Sequence, residues 1–314
     1  MKVNFLEPLG IPEQKLKGII KDILGDRVEA TFYDSRSEEP EVLIERSKGA
    51  DCVVFSNIRF GKDIISKLPD LKEIVVAFTG VDLVDINYCK EKNIKVSNCA
   101  GYSTAAVADL VFGLVIDIAR NIIPYNQNVR NGGTKGNFVG IELEGMKFGV
   151  IGAGAIGTRV LKIAQAFGCD TYAYSRTKKD LPGVRFVTLE ELCSTCDIIS
   201  VHVPQNPSTI GMIGKEQFAL MKKSAIFINC ARGPIVDSNA LADALNEGRI
   251  FGAGVDVFDK EPPIDKSDAL LNAKNLVATP HVAFVSEQAF EKRAIIVCNN
   301  IKGWLDNKPI NVIC

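Results

Sequence analysis

The sequence predicts an α/β protein built as two doubly wound parallel-sheet domains. Short apolar runs of strand length alternate with helical patterns from end to end, the signature of parallel sheets covered by helices. A polar, glycine-rich segment, RNGGTKGN at 130–137, divides that alternation into two series. Only the second series carries a glycine fingerprint, so the halves are not a sequence repeat. With 314 residues, 46% of them hydrophobic, the chain is long enough to bury two cores.

The first series runs KVNFLE (2–7), EATFYD (29–34), CVVFSN (52–57), EIVVAFTG (73–80) and IKVSN (94–98), with helical stretches between. That makes one domain of roughly a hundred residues. A long amphipathic helix, TAAVADLVFGLVIDIARNI (104–122), follows. Its continuous apolar stripe suits packing between domains or against a second copy, and a homodimer is the expected assembly. The second series is KFGVIG (147–152), DTYAYS (170–175), DIISVHVP (197–204), AIFINC (225–230), GAGVDVF (252–258) and LVATPH (276–281).

Composition excludes several partners. A net charge of -1 gives no basic field for nucleic acid. No run approaches the ~18 apolar residues of a membrane span, and the opening MKVNFLEPLG reads as a strand and turn rather than a leader, so a cytoplasmic chain is expected. The nine cysteines are scattered and odd in number, which suits reduced thiols. Cys193 and Cys196 have the one suggestive spacing, but lack a second pair or a nearby histidine. They are read as two thiols packed at a helix end, and no metal is expected.

The fingerprint is Gly152-Ala153-Gly154-Ala155-Ile156-Gly157, preceded by the strand KFGVIG and followed by the helix GTRVLKIAQAFG. In that context glycines allow a sharp turn, the close approach of backbone to a pyrophosphate, and helix-on-sheet packing. The next strand ends Ser175-Arg176-Thr177-Lys178-Lys179, without the acid that grips a ribose diol. Ser175 does not repel a 2′-phosphate and Arg176 can pair with one, so NADP is preferred with NAD possible. The plain alternative is a solvated basic turn.

Open α/β sheets place ligands at the carboxyl ends of their strands. His202, Arg232, Asp256, Glu261 and His281 all fall there, and the chain has only those two histidines. Asp256 lies inside the apolar GAGVDVF, where an unpaired carboxylate is costly, so it either braces a neighbouring loop or contacts the cofactor. His202, within HVP, is read as structural or cofactor-adjacent.

Four stretches together, GAGAIG (152–157), NCARGPIVD (229–237), GAGVDVFDKEP (252–262) and TPH (279–281), make the chain resemble the D-isomer-specific 2-hydroxyacid dehydrogenase family over nearly its whole length. The resemblance implies that Arg232 receives the substrate carboxylate, Glu261 orients the histidine, and His281 donates and accepts the proton. It places Asp256 near the nicotinamide, with Pro204, Thr209, Cys230 and Ala231 as further cofactor contacts. It also implies a Rossmann cofactor domain, 99–286, inserted in a flavodoxin-like substrate domain of 1–98 and 287–314.

Physical chemistry supports those roles independently. Hydride transfer to a 2-keto acid leaves charge on the carbonyl oxygen, which a nearby histidine can neutralise, and a carboxylate on the other ring nitrogen fixes the tautomer. The planar fork of Arg232 can take a carboxylate through two parallel hydrogen bonds; the alternative is that it pins its loop by pairing with Asp237. In VAFTGVD (76–82) the amides of Thr79 and Gly80 are candidates to meet the substrate carboxylate, and Asn57 is a weaker one. That loop looks like those of hydroxypyruvate and glyoxylate reductases, which makes a small 2-keto acid the expected partner. An NAD-dependent D-lactate-type or phosphoglycerate-type dehydrogenase is the alternative within the family. A dinucleotide-sensing corepressor or scaffold is the alternative of another class, disfavoured by the complete Arg, Glu and His set.

Overall fold

The computed structural model describes residues 1–177, 179–261 and 263–314, so Lys178 of the basic turn and Pro262 beside Glu261 lie outside the described residues. Two compact units divide the chain: Met1–Ser103 with Val285–Cys314, and Thr104–Phe284.

The first unit holds β1 (Lys2–Phe5), β2 (Glu29–Phe32), β3 (Cys52–Phe55), β4 (Glu73–Val76) and β5 (Lys95–Asn98). They form a parallel sheet in the order β2-β1-β3-β4-β5, the flavodoxin-like arrangement. CVVF and EIVV are buried at every position, as strands covered on both faces must be. The helix Glu287–Leu305 returns to this unit and packs on the helix Glu13–Leu24 and on β4 and β5. Strand order reverses between β1 and β3, where such sheets often hold a ligand. Here protein groups fill the position. Buried Glu7 accepts from Ser56 N at 2.7 Å and pairs with Arg36 at 2.9 Å, while Arg36 also donates to Asn57 O at 2.6 Å.

The second unit holds β6 (Lys147–Ile151), β7 (Asp170–Tyr174), β8 (Val184–Phe186), β9 (Ile198–Val201), β10 (Ile226–Asn229), β11 (Gly252–Val255) and β12 (Leu276–Ala278). Their order is β8-β7-β6-β9-β10-β11-β12, all parallel, with the reversal between β6 and β9. One core layer joins Val111, Leu114 and Val115 of the helix Thr104–Arg120 to Phe148, Ile198 and Ile228 of the strands. The other packs Phe218, Leu241 and Leu245 against Ile199, Phe227 and Val255. A Cβ on Gly254 would lie 2.9 Å from Leu114, so a glycine there lets the helix rest directly on β11.

Three details differ from the sequence expectations. The apolar runs are longer than the strands: β9 ends at Val201, β10 at Asn229 and β11 at Val255. The residues left over form the loops that carry chemistry. Edge strand β8 was not foreseen, because VRF is partly exposed and too short for a pattern. The helix expected over 104–122 stops at Arg120; Asn121 turns left-handed at φ 56°, and a second helix, Ile122–Arg130, begins with Ile123 N donating to buried Asp117 at 2.7 Å. Among the described residues no helix is long and apolar enough to cross a membrane.

Candidate active site

The glycine fingerprint joins β6 to the helix Ala155–Ala166, and each glycine has a separate steric reason. Gly152 sits at φ 105°, and a Cβ there would lie 2.7 Å from His202 O. Gly157 packs so tightly that a Cβ would lie 2.1 Å from Gly152 O. At Gly154, by contrast, a Cβ would meet nothing within 4 Å. The first and third glycines therefore build the turn, and the middle one leaves bare backbone at a helix N-terminus, as a pyrophosphate requires. These residues fit a dinucleotide. Ala155 and Ile156 open the helix, and Gly152 N ties the turn to β7 through Tyr174 O at 2.8 Å. Ser175, half-buried, and Arg176 and Thr177, both exposed, follow at the end of β7.

Beyond β9 the loop is organised by its own bonds. Thr209 Oγ1 donates to Pro204 O at 2.6 Å and accepts from Asn206 N at 2.9 Å. The hydroxyl expected on the cofactor is thus engaged within the loop, while Pro204 is exposed. His202 lies where the strand order reverses, its Nε2 2.8 Å from Ser200 Oγ. Desolvation pushes its pKa down to about 3, so the ring is neutral and poorly suited to donate a proton.

Buried Asn229 ends β10 and shapes the turn that carries Arg232. Its Oδ1 accepts from Ala231 N and its Nδ2 donates to Arg232 O, both at 3.0 Å. Arg232 is extended at φ -150°, after which Gly233–Ile235 forms one 3₁₀ turn. Arg232 Nη1 donates to Ala231 O at 2.9 Å. Asp237, the alternative partner for Arg232, accepts from Ala240 N at 3.0 Å and caps the helix Ser238–Asn246. Cys230 is buried, and burial holds its thiol well above the usual range. Ala231 is half-buried beside it.

Gly233 links this turn to the next. A Cβ there would stand 2.1 Å from Phe258 C, so the backbones of the Arg232 and Glu261 loops are in direct contact. Phe258 N in turn donates to Glu261 Oε2 at 3.0 Å, leaving Oε1 at 2.6 Å from His281 Nδ1. Both side chains are largely shielded, 16% and 14% exposed. The Glu261 contact at Nδ1 fixes the tautomer and orientation of the ring.

His281 has φ 53°, an uncommon conformation for a residue with a Cβ. Asp256 holds it there. Thr279 Oγ1 donates to Asp256 Oδ1 at 2.5 Å, Val282 N to Oδ1 and Ala283 N to Oδ2 at 2.9 Å each, and His281 N to Asp256 O at 2.7 Å. The Asp256 side chain is fully buried. Desolvation raises its pKa, and those donors oppose the rise. The Asp256 carboxylate thus braces the histidine loop, one of the two roles expected of it.

Loops after β10, β11 and β12 thus bring Arg232, Glu261 and His281 to the same sheet edge as the glycine turn. Asn57, Thr79 and Gly80 belong to the other unit. Asn57 follows β3 with its carbonyl taken by Arg36, and Thr79 and Gly80 follow β4. Sequence reasoning missed Asn229 and Thr279 as parts of the site. The available signal was a buried amide at the end of an apolar strand, inside the very stretch that carries Arg232. Cys193 and Cys196 are core residues, desolvated up to about 12, and no group of three potential metal ligands occurs among the described residues.

Residues 112–283 match the profile of the D-isomer specific 2-hydroxyacid dehydrogenase NAD binding domain. A hydroxypyruvate reductase of Blautia hydrogenotrophica is 36% identical over 296 residues, covering 91% of this chain and 92% of that one. A D-3-phosphoglycerate dehydrogenase of Methanocaldococcus jannaschii is 42% identical over 84% of this chain, which spans only about half of that longer relative, 52%. Among solved structures, an acyclic imino acid reductase in complex with NADPH and D-Arg superposes with a TM-score of 0.90 at 32% identity, covering 100% of both chains.

Proposed function

The chain belongs to the D-isomer-specific 2-hydroxyacid dehydrogenase family, and from that premise we propose that it reduces a small 2-keto acid, glyoxylate or hydroxypyruvate, to the hydroxy acid, with NADPH preferred over NADH. The observation that carries the reading is the Glu261–His281 pair at 2.6 Å, held next to the Arg232 turn by the Gly233–Phe258 contact. When bound, the nicotinamide cofactor supplies the hydride to the carbonyl carbon. His281 then donates its Nε2 proton to the carbonyl oxygen, giving C–OH, and Glu261 stabilises the cationic ring while it carries that proton. Arg232 takes the substrate carboxylate in a bidentate grip, and its charge favours the oxyanion as it forms. The Gly152–Gly157 turn holds the pyrophosphate, and Arg176 pairs with a 2′-phosphate.

The preference for a small substrate rests on the VAFTGVD loop and on likeness to a hydroxypyruvate reductase. A homodimer is the proposed assembly, since Ile122, Ile123 and Val129 are 49%, 48% and 66% exposed on one helix; sedimentation tests it. Nine free thiols suit a reducing cytoplasm. The reaction is tested by steady-state assay of glyoxylate, hydroxypyruvate, pyruvate, 3-phosphohydroxypyruvate and bulkier keto acids, each with NADPH and NADH. The expected result is the highest kcat/KM for one of the first two with NADPH. Cofactor binding without turnover of any keto acid overturns the reading in favour of a sensor.

A further inference from the structure

We propose that Asn98 is a positioning residue for the keto-acid substrate, acting from behind the β4 loop by fixing the direction of the Gly80 amide. The inference rests on the reading of Thr79 and Gly80 as the amides that face the substrate carboxylate. In a trans peptide the carbonyl and the following N–H point in opposite directions. A partner that captures the carbonyl therefore aims the next N–H the other way.

Three successive carbonyls after β4 are captured in this manner within the five-stranded unit. Arg293 Nη1 donates to Ala77 O at 3.4 Å, Cys99 N donates to Phe78 O at 2.9 Å, and Asn98 Nδ2 donates to Thr79 O at 2.7 Å. The last two fix the Phe78–Thr79 and Thr79–Gly80 peptide planes, hence the N–H directions of Thr79 and Gly80. Neither of those N–H groups donates a hydrogen bond among the described residues.

Asn98 is itself held by a relay of amides. Asn300 Nδ2 donates to Asn98 O at 2.8 Å, and Asn311 Nδ2 donates to Asn300 Oδ1 at 2.8 Å. Asn98 and Asn300 are 8% and 1% exposed, so each bond is made in a site where a lost partner is not replaced cheaply by water. Arg293 reinforces the same loop. Its guanidinium, 3% exposed, donates to Leu9 O at 2.7 Å and stacks 4.6 Å from the Phe290 ring. Gly10 lies so close to that ring that a Cβ would be 2.6 Å away.

The test compares Asn98→Ala with Asn311→Ala, which removes only the exposed far end of the relay. Steady-state KM and kcat for the preferred keto acid, the NADPH Kd, and the amide ¹H–¹⁵N resonances of Thr79 and Gly80 are measured for both. Asn98→Ala should raise KM about tenfold, the worth of roughly one net hydrogen bond, with NADPH Kd unchanged and kcat much less affected. The two amide resonances should shift and broaden as the peptide planes lose their fixed direction. Asn311→Ala should give the same signs at smaller size. An unmoved KM with unmoved resonances overturns the proposal, as does a proportionate loss of melting temperature and activity with KM unchanged. If the native protein reduces no keto acid, the assigned reaction fails instead, and the resonances still decide whether Asn98 orients the loop.

Discussion

His281 shows what the site demands of single residues. A left-handed histidine costs on the order of 1–3 kcal/mol, a strain tolerated where surrounding bonds over-determine it. Asp256 supplies that restraint, and the Glu261 contact then fixes the tautomer and orientation of the ring. His281→Ala should lower kcat for keto-acid reduction by two or more orders of magnitude, while NADPH Kd barely moves, because the proton is needed only in the transition state. His202→Asn should do far less in the same assay; the reverse ranking would mean that the proton donor has been misassigned. The two histidines also differ in linkage. With its pKa lowered to about 3, His202 is neutral in the folded protein while its unfolded counterpart takes up a proton below ~6.5. The unfolded state therefore binds more protons between those values. Stability from this group is complete above ~6.5 and is lost as pH falls toward about 3, with a slope of at most about 1.4 kcal/mol per unit. Urea titrations from pH 7 to 4 should show a shallower decline for His202→Asn than for the native chain.

Elements were legible where a pattern had a single physical meaning. β-branched runs such as CVVF and EIVV read as buried strands, and they are. Strand ends were not legible, because Cys230, just past β10, is as buried as it would be in a strand; only the hydrogen bonds of Asn229 to the turn, invisible in sequence, end the ladder. Asp256 was ambiguous for the same reason, since a buried carboxylate has a partner and the sequence does not say which. The glycine turn permits a sharper forecast. Gly154→Ala should leave the melting temperature of the free protein nearly unchanged while weakening NADPH binding, as its Cβ meets open space. Gly157→Ala should lower both, as its Cβ would stand 2.1 Å from Gly152 O. Fluorescence titration and thermal melts separate these outcomes. At the end of β7, Ser175→Asp with Arg176→Ile should reverse the cofactor order. A charged contact is worth roughly 1.5–3 kcal/mol, so the native preference for NADPH should be about tenfold or more. Equal kcat/KM with NADH and NADPH in the native protein would sink that assignment.

At the scale of the whole molecule, periodicity was enough to read two parallel α/β units, and the single fingerprint was enough to say that they are not alike. What lies outside that reading is the division of labour at each sheet's reversal point. In the five-stranded unit Glu7 and Arg36 fill it, whereas in the seven-stranded unit the glycine turn and His202 leave backbone bare beside it. Cofactor energy should therefore enter the fold through the unit Thr104–Phe284. A ligand that binds only the folded state stabilises it by about 2.7 kcal/mol at a hundredfold excess over Kd, with about 1.4 kcal/mol more per further tenfold. The melting temperature should rise with the logarithm of NADPH concentration, by several degrees at that excess. Hydrogen exchange should locate the gain, with protection concentrated at Gly152–Gly157, 175–177 and the loop after β9. Gly157→Ala should abolish the thermal shift and the local protection together. Protection spread evenly over both units, with none concentrated at the turn, would show that the dinucleotide is held elsewhere.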